Sequence, residues 1–183
     1  MSVVKINLDG LKRFRSQIEQ NLRGTTNGPI RAALRQWGAR FRGFIHERYS
    51  DFSRGGGGWR ALDKKTIAHR RKGKGGGGAA IVAAILVDTG TLKNSMDPKM
   101  AKPAGSIQQD VPFGVLVGYG GPARHPKGNA TIADIAHFHQ SGAGNLPDSP
   151  ARTIIVPPSG HVQSLMAGDM ERGLVKLAEQ TKL

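Results

Sequence analysis

Six histidines are the side chains of this 183-residue sequence best suited to acid–base or metal chemistry, and the closest pair is His137 and His139. Imidazoles two residues apart face the same side only on a strand, whereas residues 130–140 have the pattern of a short helix. Asp134 is the only acid between positions 113 and 147, so carboxylate partners for a metal are scarce. We therefore expect ordinary packing or surface histidines and predict neither a bound metal nor a cofactor.

Other patterns typical of catalysis are missing as well. The absence of cysteine excludes disulfides, thiolate-bound zinc and cysteine nucleophiles. Residues 73–76 lack the lysine and hydroxyl pair of a phosphate-binding P-loop, and no G-x-S-x-G nucleophile elbow occurs. Thirteen acids scattered among 27 basic residues make a pair of catalytic carboxylates hard to assemble. The sequence therefore predicts a protein that is not an enzyme.

The charge balance indicates an acidic partner. Lysine and arginine outnumber aspartate and glutamate by 27 to 13, which gives a formal charge of +14 and favours nucleic acid, an anionic membrane surface or acidic proteins. Much of the surplus lies between two four-glycine runs, 55–58 and 75–78. The candidate contacts to a partner or to DNA are Arg60, Lys64, Lys65, Arg70, Arg71, Lys72 and Lys74.

This basic stretch is predicted to be a flexible arm over residues 51–78, because glycine runs carry high backbone entropy and offer nothing to pack. Within it, Trp59, Leu62 and Ile67 are expected to dock as a short anchored turn. Trp59 is the only aromatic residue beside the basic run, which disfavours stacking on single-stranded bases and favours phosphate contact without sequence readout. The alternative is a solvated loop that only aids solubility.

Neither a membrane span nor a secretory signal is predicted. The longest apolar run, residues 79–87, is far shorter than the roughly 18 residues that a span needs. The first ten residues lack the basic region and long apolar stretch of a leader. We therefore expect no integral membrane protein and assembly in a cytoplasm.

Helices are predicted at both ends of a single domain. An apolar stripe at helical spacing predicts a first helix over residues 9–23, and Pro29 begins a second one, so that residues 9–50 form the N-terminal helices. Ser159 is expected to cap a C-terminal helix over residues 159–183.

The middle of the chain, residues 79–158, is predicted to mix strands and short helices. Thr89 or Thr91 is expected to cap a short helix that carries Leu92. Together with the helix over 130–140, this gives an α+β domain: a small, mostly antiparallel sheet with a long N-terminal helix and a C-terminal helix packed on it, plus the Gly-rich basic loop. The predicted strands cover residues 107–111, 114–118 and 153–156.

Four short segments occur in an order typical of one protein family. They read W-x-x-L at Trp59–Leu62 with a downstream threonine, L-x-x-T-G-x-L-x-x-S at Leu86–Ser95, H-Q-x-G at His139–Gly142, and P-A-R at Pro150–Arg152 before a predicted strand. With these motifs the chain resembles the virion morphogenesis proteins of tailed bacteriophages, which are tail-completion or head-to-tail joining components. The resemblance covers about residues 30–180.

The resemblance implies a structural virion protein at the neck or the head-proximal end of the tail, which forms a ring, with six copies as the expectation for the family. The implied partners are connector or neck proteins, the tail terminator or tail tube, and packaged DNA. The motif residues implied as turn or subunit contacts are Trp59, Leu62, Thr89, Gly90, Leu92, Ser95, His139, Gly142, Pro150 and Arg152.

Two other functions stay open at the level of sequence. A nonspecific nucleic-acid-binding protein would use the same basic residues as a monomer or dimer. A nuclease would use His137 or His139 together with a divalent metal. For the motif residues, the alternative to subunit contact is maintenance of the chain's own fold; Gly90, for example, permits a turn with positive φ.

Overall fold

Within its described residues the chain combines α-helices with one pair of strands. The computed structural model describes residues 8–24, 27–52, 59, 61–69, 71–72, 90–100, 103–126, 128–141 and 153–181. Its elements in chain order are α1 (Leu8–Arg23), α2 (Pro29–Phe52), α3 (Lys64–His69), α4 (Thr91–Ser95), β1 (Ser106–Val111), β2 (Gly114–Tyr119), α5 (Ile132–Ser141) and α6 (Gly160–Thr181). The predicted α+β class is confirmed: a small antiparallel sheet with a long N-terminal helix and a C-terminal helix packed on it.

The predicted helices agree closely with the observed ones. Helix α2 begins at Pro29, whose ring suits the first turn, and continues two residues past the predicted end at position 50. Helices α4, α5 and α6 lie where short and C-terminal helices were expected. None of the helices in the described stretches is long and apolar enough to cross a membrane. The apolar run 79–87 lies outside the described residues.

The chain, predicted as a single domain, is organised in two compact units. The first unit comprises residues 1–40, 108–116 and 159–183, and the second comprises 41–107 and 117–158. Each unit therefore joins stretches that are distant in sequence. Helix α2 and both strands contribute residues to both units.

The first unit has a small apolar core where α1, α2 and α6 meet. Leu177 of α6 is buried against Ile30 and Leu34 of α2. Gly173 lets α6 approach α2 closely, because a Cβ there would lie 3.0 Å from the carbonyl oxygen of Pro29. Partly buried side chains around this cluster are Phe14, Ile18, Leu22, Trp37 and Met170.

Arg31 is a fully buried cation in the first unit, with 1% of its surface exposed. Its guanidinium donates to four carbonyl oxygens, those of Asn21 (3.2 Å), Leu22 (2.7 Å), Val111 (3.0 Å) and Gly114 (2.9 Å). These dipoles take the place of water around the charge, which a buried ion requires. Arg31 thereby joins the end of α1 to the turn between β1 and β2.

The core of the second unit is built around two aromatic side chains, Tyr49 and Trp59. The Trp59 ring meets Tyr49 and Phe52 edge to face, with centroids 5.6 and 5.3 Å apart. The other buried members of this cluster are Ile45, Leu92, Met96, Ile132, Ala136 and Ile154.

The strand predicted over residues 153–156 is wrong. Residues 153–159 form no strand, although Ile154 is buried. The β-branched composition indicated a strand, but burial of one side chain also suits an extended segment that lies over a core without a neighbouring strand.

Residues 51–78 were predicted to form a flexible arm, but the described residues of this stretch include helical structure and a buried side chain. Helix α2 extends to Phe52, Trp59 is buried, and α3 covers Lys64–His69. The expected docking is confirmed for Trp59 and Leu62, since both pack on the core of the second unit, whereas Ile67 on α3 is partly buried and is not a member of that core cluster. Both glycine runs lie outside the described residues.

Candidate functional site

The basic side chains of α3 and the residues just after it form an exposed cationic surface. Four of them are described, namely Lys64, Lys65, Arg71 and Lys72, and we refer to these four as the basic segment. All four are exposed, and none forms an ion pair with a carboxylate of the described residues. Their charges are therefore available to an external anion. The other predicted contacts, Arg60, Arg70 and Lys74, lie outside the described residues.

Asp63 starts the helix that carries the first two of these lysines. Its Oδ1 accepts the backbone N–H of Lys65 at 2.6 Å, and its carbonyl accepts the N–H of Ile67 at 3.1 Å. A carboxylate at this position satisfies an N–H group that the helix itself leaves open. The cap also offsets the unfavourable placement of lysines at the positive end of a helix.

Trp59 attaches the basic segment to the second unit. It is 8% exposed and packs against Tyr49 and Phe52, and Leu62 lies partly buried on the same cluster. Burial of a tryptophan of this size removes a large apolar surface from water. The W-x-x-L motif thus anchors the chain to the core of the second unit just before α3 begins at Lys64.

The T-G-x-L motif forms the turn into α4. Gly90 lies in the left-handed region with φ of 73° and occupies the position before the helix, where no side chain caps. The cap expected from Thr89 or Thr91 is therefore wrong for Thr91, which is the first helical residue; Thr89 lies outside the described residues. The carbonyl of Gly90 accepts the N–H of Asn94 at 2.8 Å.

Leu92 and Ser95 of the same motif are both buried. The Ser95 hydroxyl lies 2.8 Å from the carbonyl oxygen of Thr91 and 2.7 Å from that of Ala104. It therefore connects α4 to the chain just before β1. These contacts are internal to the second unit and give both residues a role in the fold.

A buried tyrosine, Tyr49, and a partly buried one, Tyr119, link this turn to the long helix. The Tyr119 hydroxyl lies 2.9 Å from the hydroxyl of Tyr49 and 3.2 Å from the carbonyl oxygen of Leu92. Burial raises the pKa of both phenols well above the ordinary value, so both stay neutral. The pair satisfies polar atoms that burial would otherwise leave unpaired.

Gln140, the second residue of the H-Q-x-G motif, binds the segment that follows P-A-R. Its Oε1 accepts the backbone N–H groups of Ile154 (2.6 Å) and Ile155 (2.9 Å), and its Nε2 donates to the carbonyl of Ile155 at 3.0 Å. The Gln140 amide thus satisfies backbone groups of residues 153–156 that a neighbouring strand would satisfy if this segment were the predicted strand. His139 precedes it on α5 and is partly buried.

His137 and His139 lie on helix α5, as predicted, so their side chains leave the helix roughly 200° apart. Asp134, the nearest acid, is engaged in a reciprocal cap with Thr131: its Oδ2 accepts the Thr131 hydroxyl at 2.6 Å, and its N–H donates to that hydroxyl at 3.1 Å. The Thr131 hydroxyl and the Thr131 backbone N–H, which also donates to Oδ2 at 3.1 Å, lower the pKa of the Asp134 carboxyl. Among the described residues, no three histidines or acids are grouped as a metal site would require.

The described motif residues are therefore brought together in the second unit. The structure adds three residues that the sequence analysis did not select, Tyr49, Tyr119 and Gln140. Gln140 was visible as a letter of the H-Q-x-G motif, whereas nothing local distinguishes the two tyrosines from other core aromatics. The motif residues outside the described part of the chain are Thr89, Gly142, Pro150 and Arg152.

Comparison of the chain with protein-family models, with curated proteins and with solved structures gave no match. The function is therefore inferred from the chain's own residues.

Proposed function

We propose that the chain is a structural, non-enzymatic component of a tailed bacteriophage virion. In this proposal it is a tail-completion or neck protein that forms a ring, expected to contain six copies, and helps to join head to tail. Its partners are the connector or neck proteins and the tail terminator or tail tube. Its location is the neck or head-proximal tail, after assembly in the host cytoplasm.

The observation that carries this proposal is that described residues of three motif segments, and the residues that follow the fourth, belong to one compact unit. Trp59 packs on Tyr49, whose hydroxyl is hydrogen-bonded to Tyr119, and Tyr119 also reaches the carbonyl of Leu92. Gln140 binds the residues that follow P-A-R. Motifs that are weak one by one are thus interdependent parts of one compact unit. That interdependence is the reason to read their order along the chain as the signature of a family rather than as chance.

The basic segment supports a location beside packaged DNA or an acidic neighbouring protein. Its four cations are exposed and have no partner among the described carboxylates. It is fixed to the second unit through Trp59. A ring that carries such segments presents a cationic surface without a sequence-reading element, which suits a conduit for DNA of any sequence.

The test uses the phage or inducible prophage that encodes the chain. A stop codon early in its gene is expected to yield filled heads and complete tails that remain unjoined in electron micrographs. Joined, infectious particles are expected to return when the wild-type chain is supplied from a plasmid. Joined and infectious virions that lack the chain would overturn the proposal.

Deletion of residues 55–78 is not a clean test of the basic segment, because it also removes the buried Trp59. The variant K64Q/K65Q/R71Q/K72Q leaves Trp59 and Leu62 in place. Its matched control is K12Q/R13Q/R15Q/K176Q, which removes four exposed cations from α1 and α6. We expect the control to restore joining in the plasmid assay and the basic-segment variant to restore it poorly.

A second candidate function is nonspecific DNA binding by a monomer or dimer, and the same exposed cations favour it. It predicts steeply salt-dependent binding of duplex DNA by the isolated chain. It also predicts that the protein is absent from purified virions. Immunogold labelling at the neck of the particle is expected only for the structural role.

A further inference from the structure

The turn between β1 and β2 presents an aromatic side chain to solvent in an unusual backbone conformation. Phe113 has φ of 63° and is 62% exposed, and it is the only non-glycine residue with positive φ in the described part of the chain. Pro112 precedes it, so the turn has proline at its first corner and positive φ at its second, where glycine is the usual residue. A large side chain in such a place is costly unless its neighbours hold it there.

The surrounding residues hold this turn firmly. The Phe113 backbone N–H donates to the carbonyl of Leu22 at 2.6 Å. On either side of the turn, the carbonyls of Val111 and Gly114 both accept from the buried guanidinium of Arg31. Phe113 is therefore an exposed ring on a preorganised support, which is how aromatic anchors of protein interfaces reduce the entropy cost of binding.

The composition of the hairpin favours a protein partner over DNA. Residues 106–119 contain no lysine or arginine, so the turn lacks the phosphate contacts that accompany side chains wedged into DNA. Arg31 and Arg35 also reach the hairpin, but Arg31 is buried against the carbonyls of Val111 and Gly114, and Arg35 is paired with Asp110. Arg23, the exposed residue that follows Leu22, forms no ion pair with a described carboxylate and is the cation beside the turn that a partner can engage.

A surface of complementary character lies on α6 of the same unit. Leu174 is 37% and Val175 53% exposed, and Glu171 and Glu179 are exposed on the same side of the helix. This side is opposite the buried Asp169, Gly173 and Leu177, as helical periodicity requires. Neither glutamate forms an ion pair with a described cation. We call these four side chains the outer face of α6.

We propose that Phe113 of one copy docks on the outer face of α6 of a second copy, with Arg23 placed against Glu171 or Glu179. The two surfaces differ, so the contact is heterologous and repeats from copy to copy until rotation closes a ring. This inference deepens the proposed function, on which it rests for the expectation that copies form a ring.

The test measures self-association of the full chain by sedimentation velocity over a range of concentrations up to about 100 μM. Salt at 0.3 M is used because chains with a charge of +14 repel one another and salt shortens the range of that repulsion. We expect the wild type to associate. Phe113→Asn, in which asparagine tolerates positive φ, is expected to weaken association roughly thirtyfold or more. The matched control is Phe138→Asn, which changes a similarly exposed phenylalanine on α5 and is expected to associate like the wild type.

Two further experiments identify the surfaces. Phe113→Asn and the double variant L174N/V175N are each expected to stay monomeric, but a mixture of the two is expected to form a 1:1 complex, because each retains the surface that the other has lost. Reversal of charge in R23E or in E171R/E179R is expected to weaken association, and the combination of all three changes is expected to restore it.

A wild type that stays monomeric up to 100 μM, or a Phe113→Asn variant that associates like the wild type, would overturn the inference. Equal losses for Phe113→Asn and Phe138→Asn would also overturn it, since they would indicate nonspecific apolar contact. These outcomes are independent of the virion experiment, which asks whether heads and tails join without the chain.

Discussion

Gln140 shows how a single side chain can take the place of a strand. Three of its hydrogen bonds go to the backbone of Ile154 and Ile155, and the Ile154 side chain is buried. The high β propensity of Thr-Ile-Ile-Val at positions 153–156 predicted a strand there. A partner that lies 14 residues away in a helix leaves no trace in local composition, so propensity alone could not identify it.

We expect Gln140→Ala to lower the free energy of unfolding by about 2 kcal/mol, because it leaves backbone groups at Ile154 and Ile155 without partners. Urea unfolding measures this change. Trp59 is the tryptophan of the second unit and Trp37 that of the first, so fluorescence in a Trp37→Phe background reports the second unit alone. The control Asn94→Ala removes an exposed amide side chain from α4 of the same unit, and equal stabilities for the two variants would contradict the role given to Gln140.

Gly90 and Phe113 illustrate the limits of prediction at single residues. A glycine between two threonines before an apolar residue indicated a turn, and its positive φ agrees. The positive φ of Phe113 was not predictable, since phenylalanine rarely adopts it and the groups that hold the turn, Arg31 and the carbonyl of Leu22, belong to other elements.

Helices were the elements best predicted from the sequence. The stripes of α1, α2 and α6 repeat at helical spacing over many residues, and proline or turn residues define their ends, so local information suffices. The hairpin was likewise visible as two short strands around Pro112–Phe113. The division into two units was not, because it depends on which distant stretches pack together.

A buried carboxylate adds an ion pair to the apolar contact between α6 and α2. Asp169, 8% exposed, is paired with Arg40 of α2 at 2.5 Å and with Arg172 of its own helix. The hydrogen bond from Arg40 is the main reason that the pKa of the Asp169 carboxyl is lowered. The indole N–H of Trp37 adds a hydrogen bond to the carbonyl of Met166 nearby.

We expect Asp169→Asn to lower the free energy of unfolding by about 2 kcal/mol at pH 7, because Arg40 loses its partner. The lowered pKa means that the carboxylate stabilises the folded state above the pKa of the unfolded chain, near 3.9, and that this contribution is lost as the pH falls through the folded-state pKa. The difference from the wild type should therefore shrink toward pH 3. Trp37 fluorescence in a Trp59→Phe background follows the first unit. The control is Glu171→Gln on the same helix, and a difference that stays constant from pH 7 to pH 3 would contradict the ion pair's role.

At the scale of the whole molecule, the distribution of charge matters more than its sum. The variants K64Q/K65Q/R71Q/K72Q and K12Q/R13Q/R15Q/K176Q both have a formal charge of +10 instead of +14. Any difference between them in binding duplex DNA therefore reports where the charge lies. Their comparison separates a defined contact from general attraction.

We expect the basic-segment variant to reduce the slope of log affinity against log salt concentration by up to about 3.6, since each of the four phosphate contacts contributes about 0.9. The control variant is expected to change the slope by less than about 1. Fluorescence anisotropy with a labelled duplex at several salt concentrations gives both slopes. Equal losses in the two variants would indicate a diffuse cationic surface and contradict a contact centred on α3.

Arg31 also bears on how the first unit assembles. Its charge is compensated only when the end of α1, helix α2 and the β1–β2 turn are all in place, because its four carbonyl partners come from the first and the last of these. If the turn detaches, Arg31 loses the carbonyls of Val111 and Gly114 and keeps only those of Asn21 and Leu22, so the charge is then only half compensated by the protein. One guanidinium therefore stabilises two segments about 90 residues apart in the sequence, and loosening of either the end of α1 or the hairpin turn weakens the attachment of the other.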